Sequence, residues 1–172
     1  MLANTETRPE LALALQLPTA IGLALMAGFL FNMSIVTAPA LNGLSPEQAL
    51  AAWKGINSKA HEPLFPLTVV GTGLLALGCA VAGWRTRGRA WHLSSALLYW
   101  IGVIGTTLTV ETGINNAVVA ATHPPLDLQR MLATWLAGNH VRATSALAAF
   151  VAAWIGCYNS NRQTSRGEPR KL

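Results

Sequence analysis

Charge is scarce in this sequence: Asp, Glu, Lys and Arg make up 11% of 172 residues, against about a quarter in an ordinary soluble domain. With 52% hydrophobic residues and a mean hydropathy of +0.38, that scarcity excludes a soluble globular protein. Cysteine is scarce too. Cys79 and Cys157 sit inside apolar runs with no metal-ligand or redox spacing, so they read as small packing residues. No two of the 15 glycines stand four residues apart, which removes the GxxxG dimerisation signal. No stretch between the apolar runs is long enough for a separate soluble domain.

What remains are four apolar runs, at residues 11–39, 64–84, 91–110 and 140–158. At about 1.5 Å per residue each can cross a hydrocarbon core of roughly 30 Å. In lipid every backbone polar group needs an internal partner, so the runs must be helices. The expected fold is all-α: one transmembrane domain over residues 1–172, an integral membrane four-helix bundle with a short interfacial helix in each outer loop. Ala38-Pro39-Ala40 has the small-x-small look of a signal cleavage site, but the apolar stretch before it is about twice the usual length of a signal core, and retention is expected.

The basic residues set the orientation. If both termini share a side with the second loop, that side holds eight (Arg8, Arg85, Arg87, Arg89, Arg162, Arg166, Arg170, Lys171) and the other holds four (Lys54, Lys59, Arg130, Arg142). The excess marks the cytoplasmic face, so both termini are expected inside, in a bacterial inner membrane. The pI of about 9.9 then reflects topology and anionic lipid. A basic tail as short as 159–172, expected to be disordered, argues against a nucleic-acid partner.

The polar residues at membrane depth are concentrated between residues 106 and 142. Such groups are costly there and mark a functional site by default. In the first run, Asn32 shares a face with Leu25, Gly28, Val36 and Pro39, as an interhelical hydrogen bond or a ligand contact. In the first outer loop, Ser45, Pro46 and Gln48 form a capping-box signature for a helix to about Lys59, with Leu50 and Trp53 at the interface or bundle mouth and His61-Glu62 at its end. In the third run, His92, Ser95, Tyr99, Gly102, Thr106, Thr109, Gly113 and Asn116 recur at steps of three and four, predicting an inward stripe. Glu111 falls about 140° from that stripe at 100° per residue, so it meets another neighbour or the helix loosens near it. The two prolines before Leu126 predict a short amphipathic helix leading to the last run. There Trp135, Gly138, Arg142, Ala146, Ala149, Ala153 and Gly156 share one face, with His140 on the opposite side.

An Arg inside the bundle needs an acidic or carbonyl partner, and Glu111 is the only acid within the runs. The pair either stitches two helices or belongs to a pocket in which Arg142, Asn115 and Asn116 hold an oxygen that gains charge. In the second case Glu111, His140 or His61 takes a proton. Trp135, Asn139, Asn32, Tyr99, Thr106 and Thr109 are the expected substrate contacts.

Three elements together, Phe29-Leu30-Phe31-Asn32, Gly113-Ile114-Asn115-Asn116, and Trp135 with Asn139 and Arg142, make the chain similar to the anthrone oxygenase-like family of small four-helix membrane proteins. The sequence departs from that family's pattern at Glu111 and Thr112, where members more often carry an apolar residue and a proline. The resemblance implies a monooxygenase that oxidises an aromatic or enolisable hydrophobic substrate with O₂, needing neither flavin nor haem nor another cofactor. It further implies proton abstraction, stabilisation of the anthronolate oxygen, and attack on O₂. Two alternatives stand beside it. One is a metal-dependent oxidoreductase with Glu111 and His61, His123 or His140 as ligands, although no two of these lie three or four apart on one helix and no metal is expected. The other is a non-catalytic bundle that binds a lipid, a quinone or a partner protein.

Overall fold

A computed structural model describes residues 7–167, with side chains from residue 14 to residue 160. The side chains of Arg8, Arg162, Arg166, Arg170 and Lys171, counted above for orientation, lie outside the described residues. Among those residues the chain is helical throughout, with no strand and five helices. α1 (Thr7–Asn32) continues through a wide turn at Met33–Thr37 into Ala38–Asn42. α2 is Pro46–Ala60 and α3 is Leu64–Ala82. α4 starts with Arg89–Leu97 and runs unbroken to Ala120, and α5 is Leu128–Gly167. Four stretches, Ala14–Asn42, Leu64–Ala82, Arg89–Ala120 and Leu128–Ser160, are long and apolar enough to cross a membrane.

Local chemistry accounts for the ends and irregularities. α2 begins as its sequence predicts, with Ser45 Oγ accepting from Gln48 N at 3.4 Å and Gln48 Oε1 accepting from Ser45 N at 3.3 Å. The wide turn in α1 precedes Pro39, whose ring crowds the carbonyl four residues back and whose missing N–H leaves that bond unmade. The separate helix expected in the second outer loop does not exist. From Leu128 the chain is one helix across Gly138 into the last span, since a glycine is tolerated inside a membrane helix and no other breaker intervenes. The same helix reaches Gly167, so the start of the tail, expected to be disordered, is helical.

The bundle packs α1 against α5 and α3, and α4 against α5 and α3. The α5 stripe faces inward as its 3.6-residue period requires: Trp135, Gly138, Arg142, Ala146, Ala149, Ala153 and Gly156 are all buried. Small residues there let the backbones approach, and Ser95 Oγ on α4 donates to Ala149 O at 2.8 Å. Such interhelical bonds in membranes contribute about 0.6 kcal/mol on average. Gly102 serves the same contact, because a Cβ there would overlap the Ser145 side chain. Two cores result. One gathers Leu23, Met26, Leu30, Tyr99, Val103 and the α5 alanines; the other gathers Leu41, Leu50, Trp53, Val118, Leu132 and Trp135 beneath α2.

The outward faces are apolar as well. Leu17, Ile21, Leu25, Leu67, Leu74, Ile101, Leu108 and Leu147 are all exposed, an arrangement suited to lipid and not to water. Trp84, Trp91, Trp154 and Tyr158 are exposed near the end that carries Arg85, Arg87 and Arg89, like an interfacial aromatic belt. Topology has a direct check. In a background without Cys79 and Cys157, a Gly55→Cys variant on the exposed side of α2 should react with an impermeant thiol reagent added outside intact cells, and Arg85→Cys should not. The opposite labelling would reverse the orientation.

Candidate active site

The site forms where the two cores meet. The helix that supplies it, α4, departs from ideal geometry: Leu98–Gly105 and Thr107–Glu111 are wound wide, with backbone bonds to the fifth residue back. Thr107, Thr109 and Thr112 hydroxyls donate to the carbonyls of Val103, Gly105 and Thr107 at 2.7, 2.8 and 2.9 Å, competing with the regular ladder. Widening changes which side chains point inward. Steps of four from Tyr99 through Val103, Thr107 and Glu111 to Asn115 would drift by about 160° in a regular helix. The extra residues per turn cancel that drift and hold all five on the inner side. The predicted stripe therefore fails beyond Gly102: Thr109 and Gly113 are exposed, and Thr106 is only half-buried, although Asn116 still lines the cavity. Glu111 instead turns into the bundle, where it is 1% exposed.

Glu111 Oε2 lies 3.5 Å from Arg142 Nη2, joining α4 to α5. The guanidinium is held from two further sides: Nη1 donates to Thr107 Oγ1 at 3.2 Å and Nη2 to Asn139 Oδ1 at 2.5 Å. Asn139 is fully buried and anchored by its Nδ2 to Trp135 O at 3.0 Å. Gly138 makes the pair possible, since a Cβ there would run into Glu111 Oε1. Both carboxyl oxygens of Glu111 and Nε of Arg142 have no hydrogen-bond partner. Buried polar atoms are nearly always bonded, so three orphans in one ion pair set this place apart from the rest of the bundle.

That place opens on a cavity of about 300 Å³, at the lower end of the range for small-molecule sites. Its walls are mostly apolar, among them Met26, Leu30, Phe65, Val69, Val103 and Ile104, and its polar lining comprises Glu111, Arg142, Asn115, Asn116, Asn57 and His61 with Thr107 and Thr112. Trp53 Nε1 donates to Asn115 Oδ1 at 3.3 Å. An indole N–H can only donate, so this bond fixes the amide orientation and leaves Asn115 Nδ2 as a free donor. His61 Nδ1 stands 2.7 Å from Asn57 O. A carbonyl only accepts, so Nδ1 carries the proton and, in the neutral ring, Nε2 is the acceptor.

Of the residues expected in the site, Arg142, Glu111, Asn115, Asn116, His61 and Trp135 come together around the cavity, and Asn139 supports Arg142 from behind. Tyr99 is buried below it, its hydroxyl given to Val69 O at 2.9 Å. Thr106 and Thr109 do not line the cavity, and neither does His140, which is exposed on the far side of α5. Asn32 points outward with the rest of its face, because α1 turns Leu23, Met26, Leu30 and Ser34 inward instead. His123 is exposed in the loop before α5. Three contributors escaped sequence reading: Thr107, Asn57 and the burial of Trp53, whose ring packs at a tilt of 50° against Trp135, centroids 5.2 Å apart. The spacing of Trp53, Asn57 and His61, four apart on a capped helix, was the signal for the last two. Among the described residues no three His, Cys, Asp or Glu side chains converge, so the metal-dependent alternative has no ligand cluster to build on.

Four apolar helices around a buried acid–base pair and a small, mainly apolar cavity define a membrane bundle with an interior polar site. The sequence model of the anthrone oxygenase family matches residues 53–152, which is 100 of the 172. The chain belongs to that family. The matched region contains every polar residue named in the cavity wall, whereas the α1 wall with Met26 and Leu30 precedes it. No curated protein and no solved structure matched the chain.

Proposed function

We propose that the protein is a membrane monooxygenase that oxidises an anthrone, or a related enolisable aromatic, to the quinone with O₂ and without an organic cofactor. The observation that carries this reading is the buried Glu111–Arg142 pair, with its orphaned polar atoms, facing an apolar cavity. An anthrone has its carbonyl and its acidic methylene on opposite edges of the middle ring. The group that holds the oxygen and the group that takes the proton must then come from different walls. Arg142, Asn115 and Asn116 hold the oxygen, which gains negative charge as the methylene is deprotonated. Glu111 balances the guanidinium and keeps it aimed. His61 Nε2, on α2, takes the proton. The carbanion attacks O₂, and the hydroperoxide formed loses water to leave the second carbonyl. One oxygen atom enters the product and the other leaves as water, so the reaction balances without another reductant.

The test is turnover. Purified wild-type protein in detergent should convert anthrone to anthraquinone under O₂ well above the autoxidation rate in buffer, with no flavin, haem or metal added. A folded protein that leaves the rate at background would sink the reading, and a non-catalytic bundle that binds a lipid or quinone would take its place. A His61→Gln variant that keeps the wild-type rate would remove His61 from the role of base.

A further inference from the structure

Asn57 sits one turn before His61 in the last turn of α2, and it is 3% exposed although it carries an amide. Its Nδ2 is buried without a hydrogen-bond partner, and the residue lines the cavity. Packing alone does not call for this side chain, since a buried unpaired N–H is destabilising and a leucine would fill the space. The amide is also presented from a fixed frame. Asn57 O accepts from His61 Nδ1 at 2.7 Å and from His61 N at 3.2 Å. α2 itself is tied to the far end of α4 by Trp53 on Asn115 and by Lys54 Nζ on the carbonyl of Ala121. An orphaned donor therefore stands on α2 one helical turn before the residue that takes the proton.

We propose that Asn57 Nδ2 is the donor that stabilises the oxygen derived from O₂ at the carbon His61 has deprotonated. This rests on the reading above, and it divides the polar cavity lining between two events. On the Arg142 wall, charge develops on the oxygen the substrate already has. On the α2 wall, the C–H bond breaks and its proton goes to His61 Nε2. The carbanion passes one electron to O₂, giving superoxide beside a carbon radical, and the two combine into a C–O bond. Throughout, negative charge sits on the oxygen derived from O₂, which is where a preorganised N–H has most effect. His61 then returns the proton to the peroxide, and loss of water completes the ketone. Asn57 thus acts after the first proton transfer and not in it.

The experiment separates the two steps. Under anaerobic conditions in D₂O the protein should catalyse exchange of the anthrone methylene above the buffer rate, a step that needs the base but no O₂. Asn57→Leu removes the donor at nearly constant volume and keeps the backbone carbonyl that orients His61. It should retain that exchange while kcat/KM for O₂ falls on the order of 10²-fold, the usual loss for one such donor. Asn57→Gln, which keeps an amide, should recover part of it, and a melting curve in detergent confirms that both variants are folded. Wild-type oxygen kinetics in Asn57→Leu, or parallel loss of exchange and oxidation in the folded variant, would overturn the proposal while leaving the oxygenase reading standing. A wild-type protein that catalyses neither step would remove both.

Discussion

Arg142→Gln should lower anthrone turnover by about 10²–10³-fold, the loss seen when one preorganised donor to a developing oxyanion is removed. Thr107 and Asn139 occupy two of the five guanidinium N–H groups. Nη2 also lies 3.5 Å from the Glu111 carboxylate, and Arg142 lines the cavity with donors to spare, so it can meet a substrate oxygen without giving up the bonds that position it. Glutamine is shorter and neutral, and it cannot supply charge in a cavity whose lining is mainly apolar. The effect should fall on kcat as well as on kcat/KM, because the interaction strengthens as charge develops on the oxygen. Because this substitution leaves Glu111 unpaired, the rate has to be compared per folded molecule. A Glu111→Gln, Arg142→Gln pair, uncharged at both positions, supplies the folded control and should be equally slow. A rate within threefold of wild type in the folded protein would show that Arg142 is a structural residue only.

The second large effect is on stability. Glu111 is 1% exposed and Arg142 is 9% exposed, so the 3.5 Å pair is screened by protein and lipid more than by water. Removing one member of a buried pair typically costs about 3–5 kcal/mol, whereas replacing both with apolar residues of similar size can be neutral. Arg142→Met and Glu111→Leu should each lower the melting temperature in detergent, and the double variant should recover most of the loss. Additive losses would mean that the two residues do not depend on each other.

Much of the architecture was legible because it follows from two periodicities and a few caps. The four spans follow from apolar length, the α2 capping box from its residue types, and the inward stripe of α5 from regular helical geometry, whose 3.6-residue period put Trp135, Gly138 and Arg142 on one buried face. α4 did not yield to the same reasoning, for a physical reason. Its threonine hydroxyls and wide turns convert the period to four, so Thr109 and Gly113 turn outward while Thr107 and Glu111 turn in. The same assumption placed Glu111 far from the stripe, although the need of a buried Arg for an acid still pointed to the pair. Asn32 misled because its small-residue face looked like a packing face, yet in lipid a face of Leu25, Gly28 and Val36 serves equally well outside. Asn57 shares a helical face with Trp53 and His61, but nothing in a loop helix distinguishes an orphaned amide from a solvated one until its burial is known.

The central claim is that this cavity inserts one atom of O₂ into an enolisable aromatic carbon, and isotope labelling tests it most directly. Purified protein given anthrone under ¹⁸O₂ in ordinary water should form anthraquinone carrying one ¹⁸O atom, at a rate proportional to protein and reduced about 10²–10³-fold in Arg142→Gln. Product formed at the same rate with the wild-type protein, with Arg142→Gln and with buffer alone would contradict it.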